Sequence, residues 1–521
     1  MRVYEGTVLV GDEAGKTANF LVENRGRIVH VGDTLPQEYG AAPRTTLGAK
    51  ALIPALADTH LHFMSHALFV SGLDVRAAVT IAELKETVRE FTARRKEKII
   101  IGFGASAYGV AERRLPDRTD LDEAAGERPI FIVKYDGHAA IANSAMLKRL
   151  PARIALLRGY DGNTGRLNQE AFFAATDFVT GSVPLPSVLR SMLRAADDMA
   201  SRGIGMIHSV TGVGFPLDLD VTLESIFARG LRNELPYRVF FQTMDVKKAE
   251  RRALPRIGGC FATALDGCFG SEDAALIEPY SNNTSNRGVL FYSDEQVRDF
   301  TFAANRAGLQ IQMHAIGDAA FDQAARALDA ALTDFPRVDH RHTIIHACLT
   351  TERGLDLCAE RGIFLAVQPA FLHWSLEPLE YLESILGDRA YRISPLKTML
   401  KRGIVMTGGS DAPCTLPDPL AGIAAACNHY VKSESLSFTE ALALFTRNAT
   451  RGSFDDADRG TLEVGKIADM TVLNENPSAL KSSELGRLSA EGLFLSGKPY
   501  RGGQSLPDLL ARGILNRRRK I

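Results

Sequence analysis

The feature that most constrains the fold is a long alternation of short apolar runs with amphipathic helical stretches, which extends from about residue 52 to residue 450. Such alternation is typical of repeated β–α units that build a parallel sheet. About eight units close into a (β/α)8 TIM-type barrel, whose active site lies at the carboxyl ends of the strands. An open, doubly wound sheet is the alternative. The candidate strands are residues 52–56, 98–103, 130–134, 204–208, 237–241, 309–314, 343–346, 363–368 and 404–407.

The two ends of the chain show a different pattern, in which short β-prone runs are separated by turns. A sheet built from one end alone is small and needs a partner to bury one of its faces. We therefore expect residues 1–51 and 455–521 to form one composite, β-sandwich-like domain beside a barrel of residues 52–454. Residues 151–188 are longer than an ordinary loop and predict an insertion over the barrel mouth.

Side chains that bind metals follow several of the candidate strands. His60 and His62 come directly after the apolar run 51–56, and the two-residue period of a strand points both rings to one face. His314, His346 and Asp411 likewise follow apolar runs. In a parallel barrel these strand ends meet at one mouth. The pattern predicts a site for a divalent metal, with zinc expected, because imidazole nitrogens and carboxylate oxygens are its usual ligands.

The composition narrows the classes of function. The formal net charge of 521 residues is −1, so no overall field favours nucleic acid or an anionic membrane. Six cysteines without paired spacing fit free thiols in a reducing compartment. We expect a cytoplasmic protein with a small-molecule substrate, no nucleic-acid partner, no membrane association and a homodimeric assembly. The basic cluster Arg517-Arg518-Arg519-Lys520 is interpreted as a solvated tail.

Seven short motifs surround the candidate ligands and follow one another over nearly the whole chain. They are Asp58-Thr59-His60-Leu61-His62, Asp136-Gly137-His138, His314-Ala315-Ile316-Gly317-Asp318, Asp339-His340-Arg341-His342-Thr343-Ile344-Ile345-His346, Val367-Gln368-Pro369, Gly409-Ser410-Asp411-Ala412-Pro413 and Gly465-Lys466-Ile467-Ala468-Asp469. In this order they resemble the amidohydrolase superfamily, specifically its branch of YtcJ-like proteins and N-substituted formamide deformylases.

The resemblance implies roles for the residues in these motifs. His60 and His62 match the ligands of one metal, and His314 and His346 match the ligands of a neighbouring metal. Asp411 matches the catalytic base, which also touches metal. His138 matches a position that meets the substrate or the transition-state oxyanion; a hydrogen-bonded loop histidine is the alternative for this residue. The resemblance also implies the barrel and the domain formed from both termini.

The chain departs from the family in one segment. Relatives commonly carry a carboxylated lysine that bridges the metals, but the corresponding residues 258–268 contain no lysine. Two alignments of this segment place either Ala262 or Cys260 at the lysine position. One interpretation is that a thiolate at Cys260 binds metal. The interpretation that we favour from the sequence is that Cys260 and Cys268 are buried apolar residues. The centre is therefore expected to hold one ion or two.

These observations predict a metal-dependent hydrolase that cleaves a C–N, amide-like bond with metal-activated water. Two alternatives stay open, namely a metal-assisted lyase or isomerase, and a barrel that binds a small molecule without catalysis. Trp374 follows the strand candidate 363–368, and the sequence leaves open whether it lines the pocket or packs in the core. The remaining histidines that we considered, for which a structural role is expected, are His66, His208, His340 and His342.

Overall fold

The computed structural model describes residues 1–70, 72–95, 98–233, 235–516 and 519–521. In these ranges the strands, numbered in chain order, are β1 (Arg2–Leu9), β2 (Thr17–Asn24), β3 (Arg27–Gly32), β4 (Arg44–Pro54), β5 (Leu56–Leu61), β6 (Leu73–Asp74), β7 (Ile100–Ala105), β8 (Ile130–Lys134), β9 (Ala139–Ala142), β10 (Tyr160–Asp161), β11 (Arg166–Asn168), β12 (Ile204–Thr211), β13 (Tyr237–Phe241), β14 (Arg256–Ala264), β15 (Gln310–Ala315), β16 (Thr343–His346), β17 (Phe364–Val367), β18 (Met406–Gly408), β19 (Met470–Leu473), β20 (Ala490–Leu495) and β21 (Lys498–Pro499).

The α-helices of the same ranges are α1 (Phe63–Val70), α2 (Ile81–Arg94), α3 (Arg118–Ala125), α4 (Ser144–Leu147), α5 (Gln169–Gly181), α6 (Leu185–Ser201), α7 (Leu219–Gly230), α8 (Val246–Arg251), α9 (Asp294–Arg306), α10 (Asp318–Asp334), α11 (Glu352–Arg361), α12 (Leu379–Leu386), α13 (Leu396–Lys401), α14 (Pro419–Cys427), α15 (Phe438–Leu444), α16 (Arg447–Gly452) and α17 (Leu506–Leu515).

A barrel of eight parallel strands lies at the centre of the fold, in the order β5-β12-β13-β14-β15-β16-β17-β18. The last strand returns to the first, where Thr59 Oγ1 donates a hydrogen bond of 2.9 Å to the carbonyl oxygen of Gly408. Every residue of β12 and β15 is buried, as expected for parallel strands that helices cover on the outside. The predicted (β/α)8 barrel is confirmed.

Strands from both ends of the chain share one seven-stranded sheet, in the order β21-β20-β19-β4-β1-β2-β3. The sheet curls on itself, because a bridge between Arg27 and Ile467 joins β3 to the segment before β19. Apolar side chains from both ends, including Tyr4, Leu21 and Met470, pack inside the curl. The expected strand 52–56 is divided, since β4 ends at Pro54 in this sheet and β5 begins at Leu56 in the barrel.

A third sheet, in the order β10-β11-β9-β8-β7-β6, lies between the barrel strands β5 and β12 in the chain. The prediction that residues 98–103 and 130–134 are barrel strands is wrong, because they form β7 and β8 of this separate sheet. Alternating strands and helices look alike in both sheets, so the local pattern does not indicate which sheet a strand joins. The added structure is also larger than the expected insertion at 151–188, which contributes a short 3-10 helix (Ala152–Leu156), β10, β11, α5 and the start of α6.

The barrel strand β14 was missed from the sequence. Its run Arg256-Ile257-Gly258-Gly259-Cys260 has two glycines, which normally weaken a strand. In the fold both glycines have positive φ angles, of 96° and 151°. A Cβ at Gly258 would lie 1.9 Å from the carbonyl oxygen of Gln312 in β15. Gly258 is therefore required by the close approach of β14 and β15, whereas a Cβ at Gly259 would lie 2.8 Å from the side chain of Gln242.

The C-terminal residues that the structure describes pack against the barrel. α17 contacts α7, and Leu509 is fully buried between them. Arg519 donates hydrogen bonds to the carbonyl oxygens of Leu231 and Leu235, and Lys520 pairs with Asp455 at 3.0 Å. For Arg519 the prediction of a solvated tail is wrong, whereas Lys520 is exposed although it is paired, and Arg517 and Arg518 lie outside the described residues.

In the described ranges no single helix is both long enough and apolar enough to cross a lipid bilayer. The pair α5 and α6 meets those length and composition limits jointly, but the two helices are bent by 99° at the break between them.

Candidate metal centre

Four side chains from three barrel strands meet at the carboxyl end of the barrel. His60 lies in β5 and His62 just after it, Cys260 lies in β14, and Asp411 follows β18. One potential ligand atom of each residue lies within 4.8 Å of those of the other three. Asp411 Oδ1 is 3.2 Å from His60 Nε2 and 3.5 Å from His62 Nε2. Cys260 Sγ is 3.1 Å from His60 Nε2.

These separations fit a shared divalent cation. Bonds of about 2.0–2.2 Å to nitrogen or oxygen and about 2.3 Å to sulfur, at tetrahedral angles, place neighbouring ligand atoms roughly 3.3–3.6 Å apart. Asp411 Oδ1 is buried and, within the described ranges, has no hydrogen-bond partner of good geometry. A buried carboxylate oxygen in that state is costly unless a cation compensates for it. The donor atoms therefore fit a metal ion.

The two remaining predicted ligands lie on the neighbouring strands. His314 is in β15 and His346 ends β16, and the centroids of their rings are 4.5 Å apart. Gln368, which follows β17, accepts a hydrogen bond from His346 Nδ1 at 2.7 Å. This bond places the ring hydrogen on Nδ1, so the lone pair of His346 is on Nε2, 3.7 Å from Cys260 Sγ. The orientation of the ring thus presents a free lone pair to the centre.

The protonation states of the cluster suit a cation. Burial lowers the pKa values of His60 and His346 below the ordinary imidazole value, and it lowers the pKa of His314 to about 3. These rings are therefore neutral and able to act as ligands. Burial alone would raise the pKa of Asp411, yet its interactions with His60 and His62 hold that pKa well below the ordinary value. Asp411 is accordingly a carboxylate, the form that binds metal.

Asp58 fixes the position of the segment that carries Asp411. Its Oδ2 accepts a hydrogen bond of 2.5 Å from Ser410 Oγ, and its Oδ1 accepts one of 3.0 Å from the Ser410 backbone N–H. The Asp411 N–H donates to the carbonyl oxygen of His60 at 2.8 Å. These bonds tie the end of β18 to the end of β5. Sequence reasoning did not assign Asp58 a role, although it stands two residues before His60 in the same motif.

His138 lies in the loop between β8 and β9 of the third sheet and lines the same pocket. Its Nδ1 is 2.7 Å from the carbonyl oxygen of Asp136. A carbonyl oxygen only accepts, so Nδ1 carries the hydrogen and Nε2 is the nitrogen left to meet another molecule. Lys134 Nζ holds the Asp136 carboxylate at 2.6 Å. Burial alone would raise the pKa of Asp136, but the ammonium of Lys134 keeps it at about 2. This loop is therefore held by a charged pair.

An aromatic wall surrounds the pocket above these residues. The rings that line it are Phe69, Phe103, Phe172, Phe173, Phe261, Phe269, Phe371 and Trp374. Phe261 connects the two sides, because its ring centroid is 4.9 Å from that of His62 and 5.5 Å from that of His138. Trp374 therefore lines the pocket. Among the described residues, the pocket has the acidic side chains Asp136, Glu377 and Asp411 but no lysine or arginine.

Two buried acids near the centre were missed from the sequence. Asp266 accepts hydrogen bonds from the backbone N–H groups of Ala275, Ile316 and Gly317. Its Oδ1 lies 3.3 Å from His314 Nδ1. Glu377 accepts a hydrogen bond of 3.0 Å from the hydroxyl of Tyr135. No local signal marks either residue, because both become important only through contacts across the fold.

The other histidines lie away from the centre. His340 Nε2 bonds to the carbonyl oxygen of Arg361, and His342 Nε2 bonds to Asn305 Oδ1, both near the start of β16 rather than at its end. His66 and His208 are buried in α1 and β12. None of these four lines the pocket that contains the metal cluster, as far as the described ranges extend.

Comparison with known proteins gives concordant results. The model of the amidohydrolase family designated Amidohydro_3 matches residues 47–500. YtcJ of Bacillus subtilis (strain 168), which carries an amidohydrolase name, is 27% identical over 526 residues, covering 94% of this chain and 96% of the relative. The N-substituted formamide deformylase of Arthrobacter pascens is 23% identical over 555 residues, which cover 95% of this chain and 97% of the relative.

Solved structures support the fold. A protein from Pyrococcus horikoshii OT3, described as an uncharacterized metal-dependent hydrolase, superposes with a TM-score of 0.74 at 24% identity. The superposition covers 92% of this chain and 99% of the Pyrococcus chain.

Proposed function

The chain belongs to the amidohydrolase family, whose members are metal-dependent hydrolases, and we propose that it cleaves a C–N bond of an amide-like small molecule. The observation that carries the proposal is the meeting of His60, His62 and Asp411 at the carboxyl end of the barrel, where their donor atoms are spaced for a cation and the ring of His346 lies beside that of His60. His314 stands beside His346 as the further ligand.

A divalent metal held by His60, His62, His314, His346 and Asp411 would lower the pKa of a water molecule from about 15.7 to roughly 7 and so would supply a nucleophile at neutral pH. Asp411 accepts the proton of the attacking water, since it is ionised and lies among the histidines. The same carboxyl group then transfers that proton to the departing nitrogen, so that the C–N bond breaks to give a carboxylic acid and an amine. The bonds from Asp58 to Ser410 hold Asp411 in place during both transfers.

His138 acts on the substrate from the opposite wall. With a hydrogen on Nδ1 donated to the carbonyl oxygen of Asp136, the ring offers Nε2 as an acceptor for the N–H of an amide. This contact would orient the scissile group between His138 and Asp411. In this arrangement His138 Nε2 would not contact the transition-state oxyanion as a donor, because the ring would first need a second proton.

The aromatic wall supports an uncharged, apolar substrate body. A carboxylate-bearing substrate would meet Asp136, Glu377 and Asp411 without a lysine or arginine among the described lining residues. An aromatic or alkyl group instead buries its surface against the rings. We therefore propose N-substituted amides with a neutral hydrocarbon group as the preferred class.

Three finer expectations remain part of this proposal. Zinc is the proposed ion, since nitrogen, carboxylate and thiolate donors suit it. The cytoplasm is the proposed compartment because all six cysteines are free thiols. The homodimer stays a prediction from the sequence.

A test of the proposal uses the full chain with zinc in 18O-labelled water and a panel of N-substituted formamides, acylamino acids and cyclic amides. We expect hydrolysis of at least one neutral amide, with one label in the carboxylate product, and loss of this activity on chelation. Turnover without incorporated label would instead support the lyase or isomerase alternative. A chain that binds panel members without turning any over would support the non-catalytic barrel.

A further inference from the structure

Cys260 reaches the metal centre through an irregular part of β14. The register with β15 advances from Gly259 opposite Met313 to Ala264 opposite His314, so residues 260–263 bulge out of the ladder. The bulge is held at both sides. Thr263 Oγ1 accepts a hydrogen bond of 2.8 Å from the Gly259 N–H, and Gln242 Oε1 accepts one of 2.9 Å from the Phe261 N–H. Cys260 is therefore placed by a fixed piece of backbone.

The sulfur of Cys260 lies between the two groups of histidines. Sγ is 3.1 Å from Nε2 of His60, which stands beside His62 and Asp411, and 3.7 Å from Nε2 of His346, which stands beside His314. Both values are close to the roughly 3.6 Å expected when a sulfur and a nitrogen bind one tetrahedral metal. Ala262 is the alternative residue at the position of the family's bridging lysine. Its side chain has no atom that could bind metal.

Hydrogen bonds within the cluster do not satisfy every acceptor atom around the sulfur. The lone pair of His346 Nε2 points toward the sulfur, and Asp411 Oδ1 is buried without a hydrogen-bond partner among the described residues. Cys260 supplies a single S–H, and the residue is buried. Replacing that proton by metal ions gives each of these acceptors a cation. If Cys260 were only a buried apolar residue, Asp411 Oδ1 would have no compensating partner among the described residues.

We propose that Cys260 is a metal ligand and that its thiolate bridges two ions. One ion is held with His60, His62 and Asp411, and the other with His314 and His346. Metal binding releases the thiol proton to solvent. This inference rests on the proposed metal centre, and it specifies one ligand and the number of ions that this centre holds.

The experiment loads the metal-free full chain with Co2+, because a thiolate bound to this ion gives a charge-transfer absorption in the near ultraviolet. We expect the band to grow until two ions are bound per chain. Cys260→Ser and Cys260→Ala should abolish the band, reduce the stoichiometry to at most one ion, and weaken binding of the remaining ion by at least about tenfold. X-ray absorption should detect sulfur at about 2.3 Å from the metal in the unaltered chain only.

Two other pocket cysteines provide matched controls. Cys348→Ser and Cys268→Ser remove a thiol from the same pocket without touching the cluster of His60, His62 and Asp411. The band should persist in both variants. Far-ultraviolet circular dichroism and thermal unfolding of the metal-free proteins report whether any variant has lost its fold.

Several outcomes would overturn the inference. They are a band that survives in a folded Cys260 variant, a band lost only in Cys268→Ser, a metal-loaded chain without the band, and a chain that binds no Co2+. The proposed function fails separately, when a chain with two bound ions hydrolyses no amide in the panel.

Discussion

The rim of the barrel and the wall built by the third sheet face each other across one pocket, but they differ in chemistry. The rim carries buried histidines and Asp411, each directly at or after the end of a parallel strand. On the side built by the third sheet and α5, the wall carries His138 from the loop between β8 and β9, together with Phe172 and Phe173 of α5. In the proposed function, the rim performs the bond cleavage, whereas the wall selects and orients the substrate. Variants of each side test this division.

The largest effect is expected at Asp411. Asp411→Asn removes the proton acceptor, and kcat should fall by about 10²–10⁴-fold while most of the metal stays bound. Metal analysis and steady-state kinetics on the same sample measure both quantities. Asp388→Asn, an exposed carboxyl outside the pocket, should leave kcat unchanged. Near-normal kcat in metal-loaded Asp411→Asn would contradict the role of Asp411 as proton acceptor, and with it the assignment of catalysis to the rim.

A second variant tests how the rim holds metal. Gln368→Ala removes the acceptor that orients His346, so metal affinity should fall by about 10–100-fold. A metal titration measures the change, and saturating metal should restore much of the activity. Gln310→Ala, which removes a buried amide at the other end of β15, is the control for general destabilisation. Equal loss of affinity in both variants would argue against a specific orienting role.

His138 tests whether the wall contributes to substrate orientation. His138→Ala should lower kcat/KM by about tenfold, which corresponds to one lost hydrogen bond of about 1–1.5 kcal/mol, without changing the metal content. His30→Gln, on a terminal strand, serves as the control. Loss of metal from His138→Ala would place this histidine with the rim and break the division.

The smallest effect is expected at the outer part of the wall. Phe173→Ala should raise KM for an aromatic amide by about fivefold with little change in kcat, because the ring is only partly buried and contributes less than the 1.5–3 kcal/mol of full burial. A small alkyl amide should be affected less. Phe335→Ala, on an exposed ring away from the pocket, is the matched control. A fall in kcat with an unchanged KM would instead assign Phe173 to the chemical step.

The two regions also differ in how far the sequence predicted them. The barrel, and the placement of metal-binding residue types at strand ends, could be expected because apolar runs mark strands and parallel strands share a direction. β14 was missed because its glycines look unfavourable until β15 is seen to approach them. β7 and β8 were assigned to the barrel because their local pattern matches that of barrel strands.

The sequence by itself determined the barrel class, the family resemblance and the set of residues able to bind metal, since these depend on local periodicity and motif. Only the tertiary structure decided which side chains surround that set. It placed the Cys260 sulfur between His60 and His346, paired Gln368 with His346, and brought the aromatic wall over the rim. The physical reason is that each of these contacts joins residues far apart in the chain. Their proximity depends on a bulge in β14 and on the packing of a third sheet, which local patterns do not encode.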